Sequence, residues 1–208
     1  MRRLALVLAI VLCAATSVAQ TLGEQETILS EVSAQIIRSD ILCSEFEQEK
    51  RLQVLARPLL SSGKLIFVAE QGVLWQVLTP YPARLLIKSD ELIRWDDDGN
   101  AHKSGYGKSP MFRALSSVFL AVFRGHFEVL GDTFELSATQ AEGTWHLTLT
   151  PKDATLAAAV SEVRITGGRH VEEISILEPR GDRTLIRFRN PRIESCKLED
   201  IEKTYFAR

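Results

Sequence analysis

From Phe46 onward the chain is a series of short segments of aliphatic, β-branched and aromatic residues, separated by Gly, Pro and Asp. The clearest are Gly63-Lys-Leu-Ile-Phe-Val, Val73-Leu-Trp-Gln-Val-Leu, Arg84-Leu-Leu-Ile-Lys and Glu91-Leu-Ile-Arg-Trp, with turns at Glu70 to Gly72, Thr79 to Pro82 and Ser89-Asp90. Several of them carry bulky residues on both faces. A sheet with one wet face is polar at every second position, so this pattern requires a cover on each side: a helix, a second sheet or a ligand. The series continues through Phe127-Glu-Val-Leu, Thr133-Phe-Glu-Leu and Thr144-Trp-His-Leu-Thr-Leu-Thr to Val163-Arg-Ile, Glu173-Ile-Ser-Ile-Leu and Thr184-Leu-Ile-Arg-Phe-Arg. With roughly ten strands and no βαβ alternation, the expectation is an antiparallel meander.

Two helical patterns interrupt the strands. Between Leu22 and Arg38, Ile28, Leu29, Val32, Ile36 and Ile37 recur at helical spacing, with Glu24, Glu26 and Glu31 opposite. Pro110 opens the second helix, and Gly125 closes it. In it Met111, Phe112, Leu115, Val118, Phe119, Val122 and Phe123 share one stripe, while Arg113, Ser116 and Ser117 face away. So aromatic a helix suits either a plain core-facing element or a movable lid over an apolar cavity.

The chain of 208 residues is 45% hydrophobic and 25% charged, with a net charge of −2, as for a single globular domain and unlike a nucleic-acid binder. Its start reads as an export signal: Arg2 and Arg3, an apolar run from Leu4 to Ala15, then Ser17-Val18-Ala19 before a cleavage site. That run is too short to span a bilayer. Leu12 precedes Cys13 where a lipidation site needs a small residue. Residues 1–19 are therefore expected to be removed, leaving one exported domain over 20–208. Of the three cysteines only Cys43 and Cys196 remain after processing. In an oxidising compartment they suit a disulfide, with two buried free thiols as the other reading.

Catalytic and metal motifs fail on spacing. There is no Gly-x-Ser-x-Gly elbow, and His102, His126, His146 and His170 lie too far apart for a zinc site. Gly107-Lys108-Ser109 resembles the end of a phosphate loop, but His102 stands where its first glycine belongs. Asp96-Asp-Asp-Gly-Asn lacks the glutamate of a calcium loop and reads as a hairpin turn. Glu172-Glu173 and Glu199-Asp200 read as solvated strand or turn positions. No enzyme, metal or cofactor is expected.

The order of these elements resembles the periplasmic outer-membrane lipoprotein carrier family, LolA. The likeness runs from the leading helix through Phe46-Glu-Gln-Glu, Ser62-Gly-Lys-Leu-Ile-Phe, Val73-Leu-Trp, Leu78-Thr-Pro and Leu149-Thr-Pro-Lys to the hairpin Gly181-Asp-Arg-Thr-Leu-Ile-Arg-Phe and Tyr205-Phe206. It implies an α+β fold: an incomplete, strongly curved antiparallel barrel whose concave hydrophobic face is covered by helices. It also implies a monomeric carrier that shields acyl chains of a lipoprotein between an inner-membrane donor and an outer-membrane acceptor, without inserting stably into a membrane. A carrier of free lipid, glycolipid or acylated pigment is the alternative with the same cavity.

Two cavity-lining positions of the family fall on Val73 and Trp75, and its lid helices fall on Met111 to Phe123. Period-two alternation adds Leu65, Phe67, Leu85 and Ile87 as lining candidates, without saying which face is concave. Where the family carries an arginine that fastens the lid, this chain has Ala69, followed by Glu70. The proline-containing C-terminal extension of the better-known carriers does not follow Tyr205-Phe206.

Overall fold

A computed structural model describes residues 27–96, 98–105 and 110–207, with the side chains of 110–112 left aside. The proposed signal segment, Gly107-Lys108-Ser109 and the side chains of Met111 and Phe112 thus lie outside the described residues.

The strands are β1 (Ile41–Arg51), β2 (Leu59–Val68), β3 (Gly72–Thr79), β4 (Ala83–Ile87), β5 (Glu91–Trp95), β6 (Ala101–Gly105), β7 (Phe134–Ala141), β8 (Thr144–Pro151), β9 (Glu162–Gly167), β10 (Val171–Leu177) and β11 (Arg183–Arg192). They form one open sheet in the order β6-β5-β4-β3-β2-β1-β11-β10-β9-β8-β7, every neighbouring pair antiparallel. β1 lies in the middle. The chain steps outward through β2 to β6, crosses to the opposite edge at β7, and steps back through β8 to β11, which closes on β1.

The crossover is α2 (Pro110–Arg124) with the 3-10 turn Phe127–Asp132. Because it links the two edges of the sheet, this segment must pass over one face. α1 (residues 27–35) lies on the same side, its Val32 in the same apolar core as Val118 and Val122 of α2. Gly125, at φ +67°, ends α2: its N–H reaches the Val122 carbonyl and that of His126 the Ala121 carbonyl. Together these two bonds make a Schellman cap.

The opposite face has its own cover. Ile66, Leu74, Leu86 and Ile93 stand side by side across β2 to β5 and pack with Trp95, Cys43, Cys196 and Phe206. Phe206 belongs to α4 (Asp200–Phe206), which Glu199 and Glu202 start with a reciprocal capping box. Cys43 and Cys196 are disulfide-bonded, with Cα atoms 5.4 Å apart, well within bridging range. Tyr205 meets Trp95 edge-on at 4.8 Å and lies under Arg84 at 5.1 Å. The double-sided apolar pattern of β2 to β5 is thus answered by α2 on one side and the C-terminal segment on the other.

Two expectations need correction. Phe127-Glu-Val-Leu is a 3-10 turn, not a strand: Phe127 and Leu130 are buried three residues apart, while Glu128 and Val129 are exposed. Ser116 is buried instead of facing away, because α2 is covered on more than one side. The strands number eleven. β6 and the two short C-terminal-half helices, α3 (Ala154–Ala157) and α4, are additions to the expected elements. The Asp96 segment is a hairpin turn, closed by the Asp96 N–H to the Asn100 carbonyl between paired Trp95 and Ala101.

Candidate apolar carrier site

The six lining candidates come together on the helix-covered face. Strand register places Leu65 beside Trp75 and Trp75 beside Leu85; one step along, Phe67 stands beside Val73 and Val73 beside Ile87. Two parallel rows, each three residues wide, thus cross β2, β3 and β4. Leu65, Phe67, Val73 and Trp75 are buried, and Leu85 and Ile87 are partly buried at the outer end of each row.

Aromatic rings extend this floor. Phe46 of β1 lies 3.9 Å from Trp75, centroid to centroid, and Phe188 of β11 lies 6.4 Å from it. Phe46 and Phe188 are themselves cross-strand partners. Gly63 makes the first approach possible: a Cβ there would stand 1.9 Å from the Gln76 carbonyl oxygen and 3.0 Å from the Phe46 ring. The missing side chain lets β3 and the Phe46 ring close in together.

α2 seats directly on the floor. Phe123 stacks on Phe67 at 6.1 Å and meets Phe188 at 5.5 Å, while Phe119 meets Trp75 at 5.7 Å. One helical turn back from Phe123 therefore corresponds to two residues forward along β3, so the helix runs roughly antiparallel to that strand. Val122 is fully buried, and Leu115 and Phe119 are partly buried against the same core. Of the two readings of this helix, a plain core-facing element or a movable lid, the structure has Phe119, Val122 and Phe123 packed on the floor, the aromatic stripe of α2 being complementary to the aromatic seam of the sheet.

Polar groups gather at the C-terminal end of α2. A guanidinium nitrogen of Arg124 lies 3.8 Å from the Glu70 carboxylate in the β2–β3 turn, and Arg124 Nε is buried without a hydrogen-bond partner. Ala69, at the place of the family's fastening arginine, packs on the core, and its N–H donates to the Asp40 carbonyl at 2.8 Å. In this pair the carboxylate is on the sheet and the cation on the helix. A cleft of about 470 Å³ opens here between Arg38, Glu70, Arg124 and His126, and its inner wall is Phe67 and Phe123. Among the described residues no three His, Cys, Asp or Glu side chains gather for a metal.

Sequence reasoning does not reach Phe46 and Phe188 as parts of the floor. Each is a lone aromatic between charged neighbours, Phe46 within Glu45-Phe-Glu and Phe188 within Arg187-Phe-Arg. That pattern says which way the ring points but not what it meets.

The outer membrane lipoprotein carrier protein LolA-like family model matches residues 25–186. Among solved structures, a putative outer membrane lipoprotein-sorting protein domain from Vibrio parahaemolyticus is similar at 12% identity and a TM-score of 0.50, over 89% of this chain and 99% of that one. A LolA superfamily protein from Nitrosomonas europaea aligns at 8% identity and a TM-score of 0.47, over 85% and 96% of the two chains. A DUF1329 family protein from Desulfovibrio piger aligns at 13% identity and a TM-score of 0.48, over 86% and 94%. No curated protein sequence matches significantly. With the family model covering most of the chain, which folds as an open eleven-stranded antiparallel sheet, this protein belongs to the outer membrane lipoprotein carrier protein LolA-like family.

Proposed function

We propose that the protein is a periplasmic carrier that shields the acyl chains of lipoproteins and passes them from an inner-membrane donor to an outer-membrane acceptor. The supporting observation is the apolar seam of Leu65, Phe67, Val73, Trp75, Leu85 and Ile87, covered by a helix whose own packing is aromatic and aliphatic. A hydrocarbon chain offers the seam the same kind of surface as Phe119, Val122 and Phe123. Loading is then an exchange, in which α2 lifts and acyl methylenes take its place.

Energetics favour such an exchange. Each buried methylene contributes about 0.8 kcal/mol. Each aromatic pair that parts when α2 lifts costs about 0.5–1.5 kcal/mol beyond the apolar area it exposes, and the acyl chain covers that area again on the floor. The polar tie of the helix is weak as well, since Glu70 is 90% exposed and surface ion pairs contribute little. Loading and release therefore differ by small increments, as hand-over between membranes requires. The cleft beside Phe67 and Phe123 gives a chain a place to enter.

The test is co-purification from the periplasm followed by mass spectrometry of the cargo. A protein-linked acylated terminus supports the reading. Free lipid, glycolipid or acylated pigment would transfer the assignment to the alternative cargo. A fluorescent fatty-acid analogue that shows no saturable binding would leave a packed sheet protein without a ligand.

A further inference from the structure

At the end of the sheet where β1 leaves for β2, three connections meet: residues 52–58, 79–82 and 178–182. The Gln53 N–H donates to Asp182 Oδ1 at 2.7 Å and its side-chain amide donates to the Gly181 carbonyl at 3.0 Å, tying the first connection to the third. Ser62 and Thr79 share a hydroxyl hydrogen bond at 2.7 Å, tying the start of β2 to the second.

This end is apolar where it meets solvent. Val54 is 90% exposed and Tyr81 83%, and Leu55, Leu59, Leu60 and Leu78 are each at least 44% exposed. Of the nine exposed large hydrophobics among the described residues, these six and Leu177 stand on the β1–β2 and β3–β4 connections or on the strand ends beside these and the β10–β11 connection. Scattered apolar residues need no explanation, but such a gathering does.

Around the first and third connections this end is basic: residues 49–60 and 177–184 carry Lys50, Arg51, Arg57, Arg180 and Arg183 against Glu49, Glu178 and Asp182. The three acids of these stretches are engaged there, Glu49 by Arg51, Glu178 by Lys50, and Asp182 by the Gln53 N–H. Beside the second connection stands Asp96 of the β5–β6 turn, paired with His102. Arg57 and Arg180 are exposed and have no carboxylate partner among the described residues.

We propose that this end docks the protein on an anionic phospholipid bilayer. Val54 and Leu55 stand on one connection and Tyr81 on another, with Leu59, Leu60 and Leu78 on the adjoining strand ends, so the exposed apolar groups are spread over the tip of the sheet among its cations. Tyr and Leu at the tip with Arg around them is the composition of an interfacial anchor. No described helix is long and apolar enough to cross a membrane, so the contact is peripheral. β3 connects the end to the seam: Leu78 is three residues, roughly 10 Å, beyond Trp75.

Flotation of the cargo-free protein with vesicles tests the docking independently of the seam. The protein is expected to float with phosphatidylcholine vesicles containing one-quarter phosphatidylglycerol, weakly with pure phosphatidylcholine, and less in high salt. Val54→Asp with Tyr81→Asp should lower partitioning at least about tenfold, and Arg57→Ala about fivefold. Both sites are exposed, so binding of a fatty-acid analogue and the near-UV spectrum should be unchanged. The proposal is overturned if wild type does not float, if the double variant floats equally well, or if the wild type is a dimer that the double variant makes monomeric. Failure of the carrier reading would look different: no analogue binding, with vesicle binding intact.

Discussion

Phe119 meets Trp75 edge-on, ring centroids 5.7 Å apart at 76°, so the crossover helix closes the site through the same residue that sits in the middle of the floor. In the proposed exchange, helix and acyl chain compete for that one surface. Removing the ring by Phe119→Ala weakens the closed form by at least about 1 kcal/mol, since the aromatic pair adds to the buried area that is lost with it. The expected result is at least roughly fivefold tighter binding of a fluorescent fatty-acid analogue, together with a lower melting temperature. Unchanged or weaker binding would mean that α2 does not have to leave for a chain to enter.

Leu85 ends the row that Leu65 and Trp75 begin, and is only partly buried. A charge there meets the proposed cargo without entering the packed centre, where Trp75 is 6% exposed and a carboxylate would unfold the core. Leu85→Glu is expected to weaken analogue binding at least about tenfold while lowering stability by about 1–2 kcal/mol. Titration and a urea melt on the same sample separate the two effects. Retained affinity would remove the outer end of the row from the site.

Much of this arrangement is legible in the sequence, for reasons that are local. Period two places Leu65, Phe67, Val73, Trp75, Leu85 and Ile87 on common faces, and the aromatic stripe identifies α2. What covers each face is not legible, because it depends on where the ends of the sheet lie. α2 crosses the floor since β6 and β7 are opposite edges, a fact of pairing between β1 and β11 that joins residues far apart in sequence. The same long-range pairing brings Phe46 to Phe188. Phe127-Glu-Val-Leu misleads because a spacing of three between buried residues resembles alternation in so short a segment. α4 escapes notice because its signal is a cap between two glutamates, which in sequence look like solvated acids.

Gly63 is where the floor tolerates no side chain. A Cβ would press within 1.9 Å of the Gln76 carbonyl oxygen, which belongs to backbone held in the β2–β3 ladder and cannot turn aside. Gly63→Ala is expected to cost about 3 kcal/mol, at the upper end for overpacking, and to separate Phe46 from Trp75. A urea melt reads the first effect, and the near-UV signal of the aromatic seam the second. A neutral substitution would show that the strands can shift apart without loss.

His170 follows the β9–β10 turn, and burial holds its imidazole below the usual histidine range, helped by Arg169 and opposed by Glu172. A depressed base favours its neutral form in the folded state. Its contribution is therefore present above about pH 6.5, where the unfolded chain is neutral too, and is lost as the pH falls and the unfolded chain takes up a proton more readily. Melting temperature should fall between pH 7 and pH 5, with a smaller fall in His170→Gln. Equal slopes for both proteins would assign the acid sensitivity to other groups.

The Cys43–Cys196 bridge pins the C-terminal segment to the face opposite the proposed carrier site, closing a separation of 153 residues. In the chain-entropy account, a loop of that length stabilises the fold by about 5 kcal/mol. Replacing both cysteines by serine should lower stability by up to that amount and loosen α4, leaving Tyr205 and Phe206 open to protease. The seam lies on the other side of the sheet, in a separate cluster of buried residues. Analogue binding should therefore survive at temperatures where the variant remains folded. Loss of binding without unfolding would show that Ile66, Leu74 and Leu86, pressed from behind by the C-terminal segment, hold the intervening Leu65, Phe67, Val73 and Trp75 in register, making the outer cover part of the site.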